Sequence, residues 1–164
     1  MTTGSASIII NRPPAEAWAA IADITRMGEW SPECTGGRWV GGATGPAVGA
    51  KFKGDNVAKV AGRTVKKWTT TSEVTACEPG SSFEFTAEGY TTWRYTFEPA
   101  AGPGGTGPNG SDATKVTETF AYEAKGFMGF VYEKLLRRSR MMTKGMQRTL
   151  ERVKATLEEV AGLT

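Results

Sequence analysis

The spacing of apolar residues separates a long segment at the end of the chain from a strand-rich body before it. Residues 126–164 contain no proline, and their apolar side chains recur three or four positions apart, with some gaps that skip a turn. This spacing is typical of one helix face. The apolar stripe consists of Met128, Val131, Leu135, Met142, Met146, Leu150, Val153, Leu157 and Val160. The segment is therefore predicted to be an amphipathic helix that packs its stripe against the rest of the chain.

The length of this predicted helix indicates what it packs against. About 35 helical residues span roughly 50 Å at 1.5 Å per residue, which is too long for another short helix to cover. A broad, curved β-sheet is large enough to hold it.

The start of the chain predicts one strand and two short helices. Residues 5–11 form an isoleucine-rich run, and Pro13 and Pro14 end it because proline cannot donate to a strand ladder. A short helix is expected over residues 15–24, since proline suits the first turn of a helix. A second short helix is expected to follow Thr25, which would be its N-cap, and to end before the next proline.

From Gly36 onward, apolar and polar residues alternate with a period of two. Strands are predicted over residues 38–42, 50–60, 63–77, 82–88, 91–98 and 113–122. Turn residues recur between these strands at short range, which favours an antiparallel meander. Together with the first strand and the long helix, this order predicts an α+β fold: one domain, residues 1–164, with a seven-stranded antiparallel sheet.

The glycine- and proline-rich tract at residues 99–112 is predicted to be a hairpin loop. Within it, residues 105–110 read GTGPNG, which matches the GxGxxG pattern of dinucleotide-binding proteins. The match lies between two strands and contains a proline, whereas a phosphate-binding GxGxxG loop opens a helix. We therefore expect no nucleotide cofactor here.

Composition excludes several classes of chemistry. The chain of 164 residues has no histidine, which removes the commonest general base and the commonest metal ligand, and no metal site is predicted. Its two cysteines, Cys34 and Cys77, lie far apart and are expected to be inert, in a reduced compartment. A net charge of +3, without basic arms, argues against nucleic-acid binding. The first residues lack a signal-peptide pattern, so a cytoplasmic protein is expected.

Four stretches of the sequence resemble one known superfamily. They are residues 10–18 (INRPPAEAW), 45–56 (GPAVGAKFKGDN), 68–74 (WTTTSEV) followed by 78–80 (EPG), and 93–99 (WRYTFEP). The chain resembles the START and Bet v 1-like superfamily, and within it the bacterial polyketide cyclase/dehydrase and lipid-transport branch. The resemblance implies a helix-grip fold, in which the sheet curls round the C-terminal helix and an apolar cavity lies between them. Members of such families bind lipids, sterols, polyketides or similar molecules, and a minority catalyse ring closure or dehydration.

The residues expected to line such a cavity are apolar side chains on one face of each strand and on the helix. They are Phe52, Trp68, Phe83, Phe85, Trp93, Phe120, Met128, Val131, Leu135, Met142 and Met146. Each of them also suits an ordinary hydrophobic core, so the set supports a pocket better than any single member does. Methionine is a deformable filler that suits both roles.

Two polar residues share these faces. Glu118 has the strand parity of Val116 and Phe120, so its carboxyl group is expected to be buried and its pKa raised. It could orient a ligand hydroxyl, act as a general acid or base, or pair with an internal partner such as Asn56, Arg94 or a threonine. Asn56 could bind a ligand carbonyl or satisfy neighbouring backbone.

Two functions follow as hypotheses. The first is a carrier or sensor that holds a small hydrophobic ligand without turnover. The alternative is a cyclase or dehydratase that needs no metal, with Glu118, Tyr95 or Tyr122 as the group that moves a proton. Tyr95 and Tyr122 are also explained as amphipathic wall residues.

Surface charge suggests one further partner. Basic residues cluster on the predicted helix at Lys134, Arg137, Arg138, Arg140 and Lys144. Such a cluster is usually a solvated helix face, but it could also give transient contact with an anionic membrane. A protein-binding module is a third reading, and the protein is expected to be a monomer or a homodimer.

Overall fold

The computed structural model of the chain describes residues 2–103, 112–122 and 128–161, with side chains described for all of these except 128–138, 160 and 161. The strands are β1 (Thr2–Ile10), β2 (Cys34–Val40), β3 (Lys51–Val60), β4 (Arg63–Glu78), β5 (Ser82–Ala87), β6 (Thr91–Ala100) and β7 (Ala113–Tyr122). The helices are α1 (Pro14–Ala22), α2 (Met27–Trp30) and α3 (Met128–Ala161), and a 3₁₀ turn (Ile24–Arg26) precedes α2.

The seven strands form one sheet in the order β1-β7-β6-β5-β4-β3-β2, and every neighbouring pair is antiparallel. Strands β2 to β7 are a meander, while β1 lies at the edge and pairs with the last strand. The predicted α+β fold, with a long C-terminal helix and two short helices after the first strand, is confirmed.

The hydrophobic core lies between the inner face of the sheet and the helices. Strand parity selects the inward side chains, which include Ile10, Phe52, Val74, Phe83, Phe85, Phe97, Val116 and Phe120. From α3, the stripe residues Met146, Leu150 and Val153 are buried in the same core. Gly4 on β1 lies where only a hydrogen atom fits, because a methyl group there would collide with the ring of Phe120.

Polar contacts hold α3 against the start of the chain. Lys154 Nζ donates to the carbonyl oxygen of Ile9 at 2.8 Å, and the Asn11 backbone N–H donates to Glu158 Oε1 at 2.9 Å. Arg152 donates to the carbonyl oxygen of Trp30 at 3.1 Å. The C-terminal half of α3 is thus fixed to both β1 and α2.

The start of β2 and the cap of the second helical segment differ from the predictions. Strand β2 begins at Cys34 rather than at residue 38, so it includes Gly36 and Gly37. Gly37 pairs with Gly54 in the sheet, and it lacks a side chain because the backbone of Ile24 passes too close to it to leave room for one. The cap of the second helical segment is Asp23 instead of Thr25, since its carboxylate accepts the Thr25 backbone N–H at 3.1 Å.

Candidate functional site

A carboxyl group and a phenol meet in the middle of the sheet's inner face. The register of β6 and β7 places Tyr95 directly opposite Glu118. Glu118 is 3% exposed and Tyr95 is 6% exposed. The Tyr95 hydroxyl donates to Glu118 Oε1 at 2.7 Å. This pair is the polar centre of the candidate site.

The alternation of residues along the two strands explains why the pair is buried. Trp93 lies opposite Phe120 and Phe97 lies opposite Val116, so apolar rungs flank the Tyr95–Glu118 rung on both sides. In a strand every second side chain points to the same face. A face that buries its apolar rungs therefore also buries the polar rung between them.

Burial changes the acidity of both groups. Loss of water raises the pKa of Glu118 to about 7, and the hydrogen bond from Tyr95 partly opposes this rise. Burial is the largest cause that raises the pKa of Tyr95 well above its ordinary value, and the charge and the hydrogen bond of Glu118 raise it further. Tyr95 is therefore a neutral phenol near pH 7, whereas Glu118 populates both its neutral and its ionised form.

One oxygen of this carboxyl group stands apart from the hydrogen bond with Tyr95. Glu118 Oε2 is buried and accepts no hydrogen bond from the residues that the structure describes. A buried polar atom without a partner costs about 1–3 kcal/mol. Since Oε1 already accepts the Tyr95 proton, the carboxyl proton of neutral Glu118 belongs on Oε2, where none of the described residues accepts it.

The predicted aromatic wall residues surround this pair to different degrees. Phe52, Phe83, Phe85 and Phe120 are buried, and Phe52 and Phe85 meet edge to face with ring centroids 5.0 Å apart. Trp93 is half-buried, with its ring centroid 5.7 Å from that of Phe120.

Tyr122 lies farther along β7, near the end of the strand. It is half-buried and packs edge to face with Tyr90 at 5.6 Å. Its contact is therefore with an exposed ring, and the structure pairs Glu118 with Tyr95 instead.

Asn56 and Trp68 are half-buried and are not members of the buried core cluster. They line an open cleft of about 610 Å³ beside the far ends of β3 and β4, together with Thr35, Asp55, Val57, Lys59, Thr64, Lys67 and Thr69. Asn56 Nδ2 donates to the carbonyl oxygen of Gly54 at 3.1 Å and to Thr70 Oγ1 at 3.3 Å. Its amide thus satisfies backbone and side chain within the sheet.

The candidates on α3 are described only in part. Met146 is buried in the core and Met142 is half-buried against it. The side chains of Met128, Val131 and Leu135 lie outside the described residues, as do those of Lys134, Arg137 and Arg138. Arg140 and Lys144, the remaining members of the basic cluster, are exposed.

Sequence reasoning named both Tyr95 and Glu118 but did not pair them. The missing information was the register of β6 against β7, because the long tract between these strands leaves the number of loop residues undefined. A second missed feature is Trp30, which is 2% exposed and whose Nε1 has no partner among the described residues.

The described residues contain no group of three or more His, Cys, Asp or Glu side chains able to hold a metal ion. Cys34 and Cys77 are free thiols, and burial raises the pKa of each. Both are therefore weak nucleophiles.

Comparison with known proteins places this chain in a family. A family model described as polyketide cyclase/dehydrase and lipid transport matches residues 1–158. The chain belongs to this family. A search of the curated proteins found no match.

Solved structures share the fold of this chain. The chain is 33% identical to a polyketide-cyclase-like protein from Corynebacterium glutamicum, with 95% of this chain and 91% of that chain covered and a TM-score of 0.63. A protein from Thermus thermophilus shares the fold at 17% identity, with 97% and 99% covered and a TM-score of 0.65. The di-domain ARO/CYC protein BexL, of the BE-7585A biosynthetic pathway, is 15% identical, with 92% of this chain and 47% of BexL covered and a TM-score of 0.61.

Within the part of the chain that the structure describes, no helix combines the length and the apolar character that a membrane crossing requires.

Proposed function

We propose that this family member binds a small, largely apolar molecule between the inner face of the sheet and α3, and that Glu118 holds one oxygen atom of that molecule. The observation that carries the proposal is Glu118 Oε2, which is buried and has no hydrogen-bond partner among the described residues. Buried polar groups are nearly always hydrogen-bonded, so an orphaned carboxyl oxygen in an aromatic interior favours a partner that arrives from outside the chain.

The chemistry of the pair defines the class of ligand. Neutral Glu118 donates from Oε2 to a carbonyl or hydroxyl oxygen, and ionised Glu118 accepts from a hydroxyl group. Tyr95 positions the carboxyl group through Oε1 and stays out of direct contact with the ligand in this scheme. The apolar rungs on either side would cover the remainder of the molecule. A lipid, a polyketide or an isoprenoid with one keto or hydroxyl group fits these requirements.

Matched ligands test the role of the oxygen. We would titrate the protein with 2-acetylnaphthalene and with 2-ethylnaphthalene, which differ by a carbonyl oxygen, and follow tryptophan fluorescence and amide NMR shifts. The protein should prefer the ketone, and Glu118→Met should remove that preference while it keeps affinity for the hydrocarbon. Glu73→Gln is the matched control, because the Glu73 side chain is 52% exposed on β4.

Native mass spectrometry after detergent-free purification supplies the second test. Retention of an apolar ligand by the wild type, and its loss in Glu118→Met, supports the proposal. An empty wild-type protein that also ignores both naphthalenes and a panel of lipids and polyketides would overturn it.

A second candidate function is catalysis of ring closure or dehydration of a poly-β-ketone. The pKa of Glu118, at about 7, is favourable for a general acid–base group near neutral pH. Ionised Glu118 would take a proton from the carbon between two carbonyl groups. The resulting enolate carbon would attack a third carbonyl, and the carboxyl group would return the proton to the new alkoxide. If Glu118→Gln left any detected turnover intact, this mechanism would be excluded while ligand binding would still stand.

A further inference from the structure

The hairpin between β3 and β4 ends in a tight turn at the edge of the molecule. Val60 pairs with Arg63, so only Ala61 and Gly62 form the loop, with φ angles of 50° and 77°. Positive φ at both central residues is the geometry of a type I′ turn, which matches the twist of the flanking strands. The strand pairing shifts by one residue next to this turn: Ala58 pairs with Lys66, whereas Lys59 pairs with Thr64. We call residues 59–67 the β3–β4 tip.

The tip exposes apolar side chains that the fold does not use. Val60 is 63% exposed and Val65, the extra residue at the register shift, is 61% exposed. Neither valine packs against the core. The end of this hairpin is therefore a small, solvent-exposed apolar surface made of two aliphatic side chains.

The same tip carries four cations and no acid. Lys59, Arg63, Lys66 and Lys67 are all exposed, and residues 56–72 contain no aspartate or glutamate. Elsewhere on the sheet, basic residues form ion pairs with carboxylates. These pairs are Arg38 with Asp55, Arg94 with Glu84 and Lys51 with Glu73. In the described ranges, none of the four tip cations has an ion pair, and Lys66 instead lies over the ring of Trp68 at 5.5 Å.

We propose that the β3–β4 tip docks the protein on an anionic membrane surface, with Val60 and Val65 entering the interface and the four cations contacting lipid headgroups. A membrane with anionic lipids offers negative charge and an apolar layer side by side, which is the combination that the tip presents. Nucleic acid offers the charge alone, so the exposed valines favour lipid.

The position of the open cleft is consistent with this docking. Lys59, Thr64, Lys67 and Trp68 belong to the tip or its base and line the cleft beside β3 and β4. Docking through the tip would therefore turn this cleft toward the lipid. The docking inference does not require the ligand proposed above, because charge and exposed valines are sufficient for it.

The surface tested is distinct from the basic cluster on α3. That cluster includes Arg140 and Lys144 on α3, where Met141 is also exposed, whereas the tip lies on the β3–β4 hairpin. A charge reversal of equal size on each surface therefore separates the two.

Vesicle flotation provides the measurement. Wild-type protein would be mixed with vesicles of phosphatidylcholine alone, and with vesicles made from a three-to-one mixture of phosphatidylcholine and phosphatidylserine. We expect flotation with the anionic vesicles, weakened by salt, and none with the neutral ones. Lys66→Glu combined with Lys67→Glu should weaken binding at least about tenfold, since each basic residue near an anionic surface contributes several-fold in affinity.

Each substitution at the tip has a control variant with the same kind of substitution at another surface. Arg140→Glu with Lys144→Glu has the same charge change on α3 and should retain most binding. Val60→Ser with Val65→Ser should weaken binding, whereas Val48→Ser, at a loop valine that is 67% exposed, should not. Melting temperatures would verify folding, and Lys66→Gln with Lys67→Gln replaces the reversal if that variant does not fold.

Three results would overturn the proposal. The wild type could float with neither vesicle, the α3 variant could lose as much binding as the tip variant, or random-sequence duplex DNA could bind the tip while anionic vesicles do not. Each result assigns the tip cations to something other than a lipid surface.

Discussion

Tyr95 and Glu118 lie directly opposite each other on neighbouring antiparallel strands, and the phenol donates to one carboxyl oxygen at 2.7 Å while the other oxygen is left without a partner in the described structure. The two residues thus form a half-satisfied polar pair inside an aromatic interior. Such pairs stabilise the fold less than a fully bonded network would, and they are a common feature of binding sites.

Removing the phenolic hydroxyl tests the pair directly. Tyr95→Phe leaves Glu118 Oε1 without its donor, and because that hydrogen bond lowers the pKa of Glu118, the pKa should rise above its present value of about 7. The free energy of unfolding should fall by roughly 1–3 kcal/mol, the usual cost of an orphaned buried partner. Carbon-detected NMR of the glutamate carboxyl groups measures the first effect, and urea unfolding measures the second.

Tyr90→Phe is the matched control for that change. Tyr90 is exposed, and its ring contact with Tyr122 survives the loss of the hydroxyl. It should leave both the stability and the titration of Glu118 as they are. An equal effect of the two substitutions would contradict the assigned role of Tyr95.

The raised pKa of Glu118 predicts a specific dependence of stability on pH. The unfolded chain titrates this group near 4.5 and the folded chain near 7, so between these values the folded state binds the extra proton. The contribution of Glu118 to stability is therefore largest below the unfolded pKa and is lost as pH rises through about 7. Each pKa unit corresponds to about 1.4 kcal/mol, so the total loss is about 3 kcal/mol.

Glu118→Gln isolates this contribution. The amide does not titrate, so the difference in unfolding free energy between wild type and variant should change by about 3 kcal/mol between pH 4.5 and pH 8. Urea unfolding at a series of pH values gives that difference. A difference that stays constant with pH would show that the carboxyl group is not desolvated.

The sequence predicts which face of a strand a side chain occupies better than it predicts the hydrogen-bond partner of that side chain. Alternation along β7 is sufficient to place Glu118 beside Val116 and Phe120, and the structure finds all three buried. Its partner could not be chosen, because each candidate on a neighbouring strand requires a register that the intervening loop does not define. The structure selects Tyr95, while Asn56 bonds to Gly54 and Thr70 within the sheet.

The start of β2 shows the limit of local composition in another way. Glycine weakens a strand interior, and the sequence predicts this strand only from residue 38, after Gly36 and Gly37. A tertiary contact explains why glycine is needed inside this strand. The 3₁₀ turn at Ile24–Arg26 lies so close to the strand that Gly37 must lack a side chain.

These two glycines give a prediction with its own internal control. A methyl group at Gly37 would collide with the Ile24 carbonyl oxygen, whereas one at Gly36 would meet no atom within 4 Å. Gly37→Ala should therefore destabilise the protein by about 1–3 kcal/mol, the range for overpacking. Gly36→Ala should be neutral or slightly stabilising, because alanine loses less backbone entropy on folding. Thermal unfolding of the two variants measures the contrast, and equal melting temperatures would show that the Ile24 backbone can move aside.

The helical period on α3 leads to the last prediction. Met146 belongs to the predicted apolar stripe and is buried in the core, while Met141 lies off the stripe and is 73% exposed. Truncation of a buried methionine removes apolar contacts and leaves a cavity, so Met146→Ala should cost about 2–5 kcal/mol. Met141→Ala should change stability by less than about 0.5 kcal/mol, as surface substitutions usually do. Urea unfolding of both variants separates these values, and because both residues become alanine in the same helix, helix propensity cancels from the comparison. A small loss at Met146 would mean that α3 does not pack its apolar stripe against the sheet. In that case α3 would not cover the interior in which Glu118 is proposed to meet its ligand.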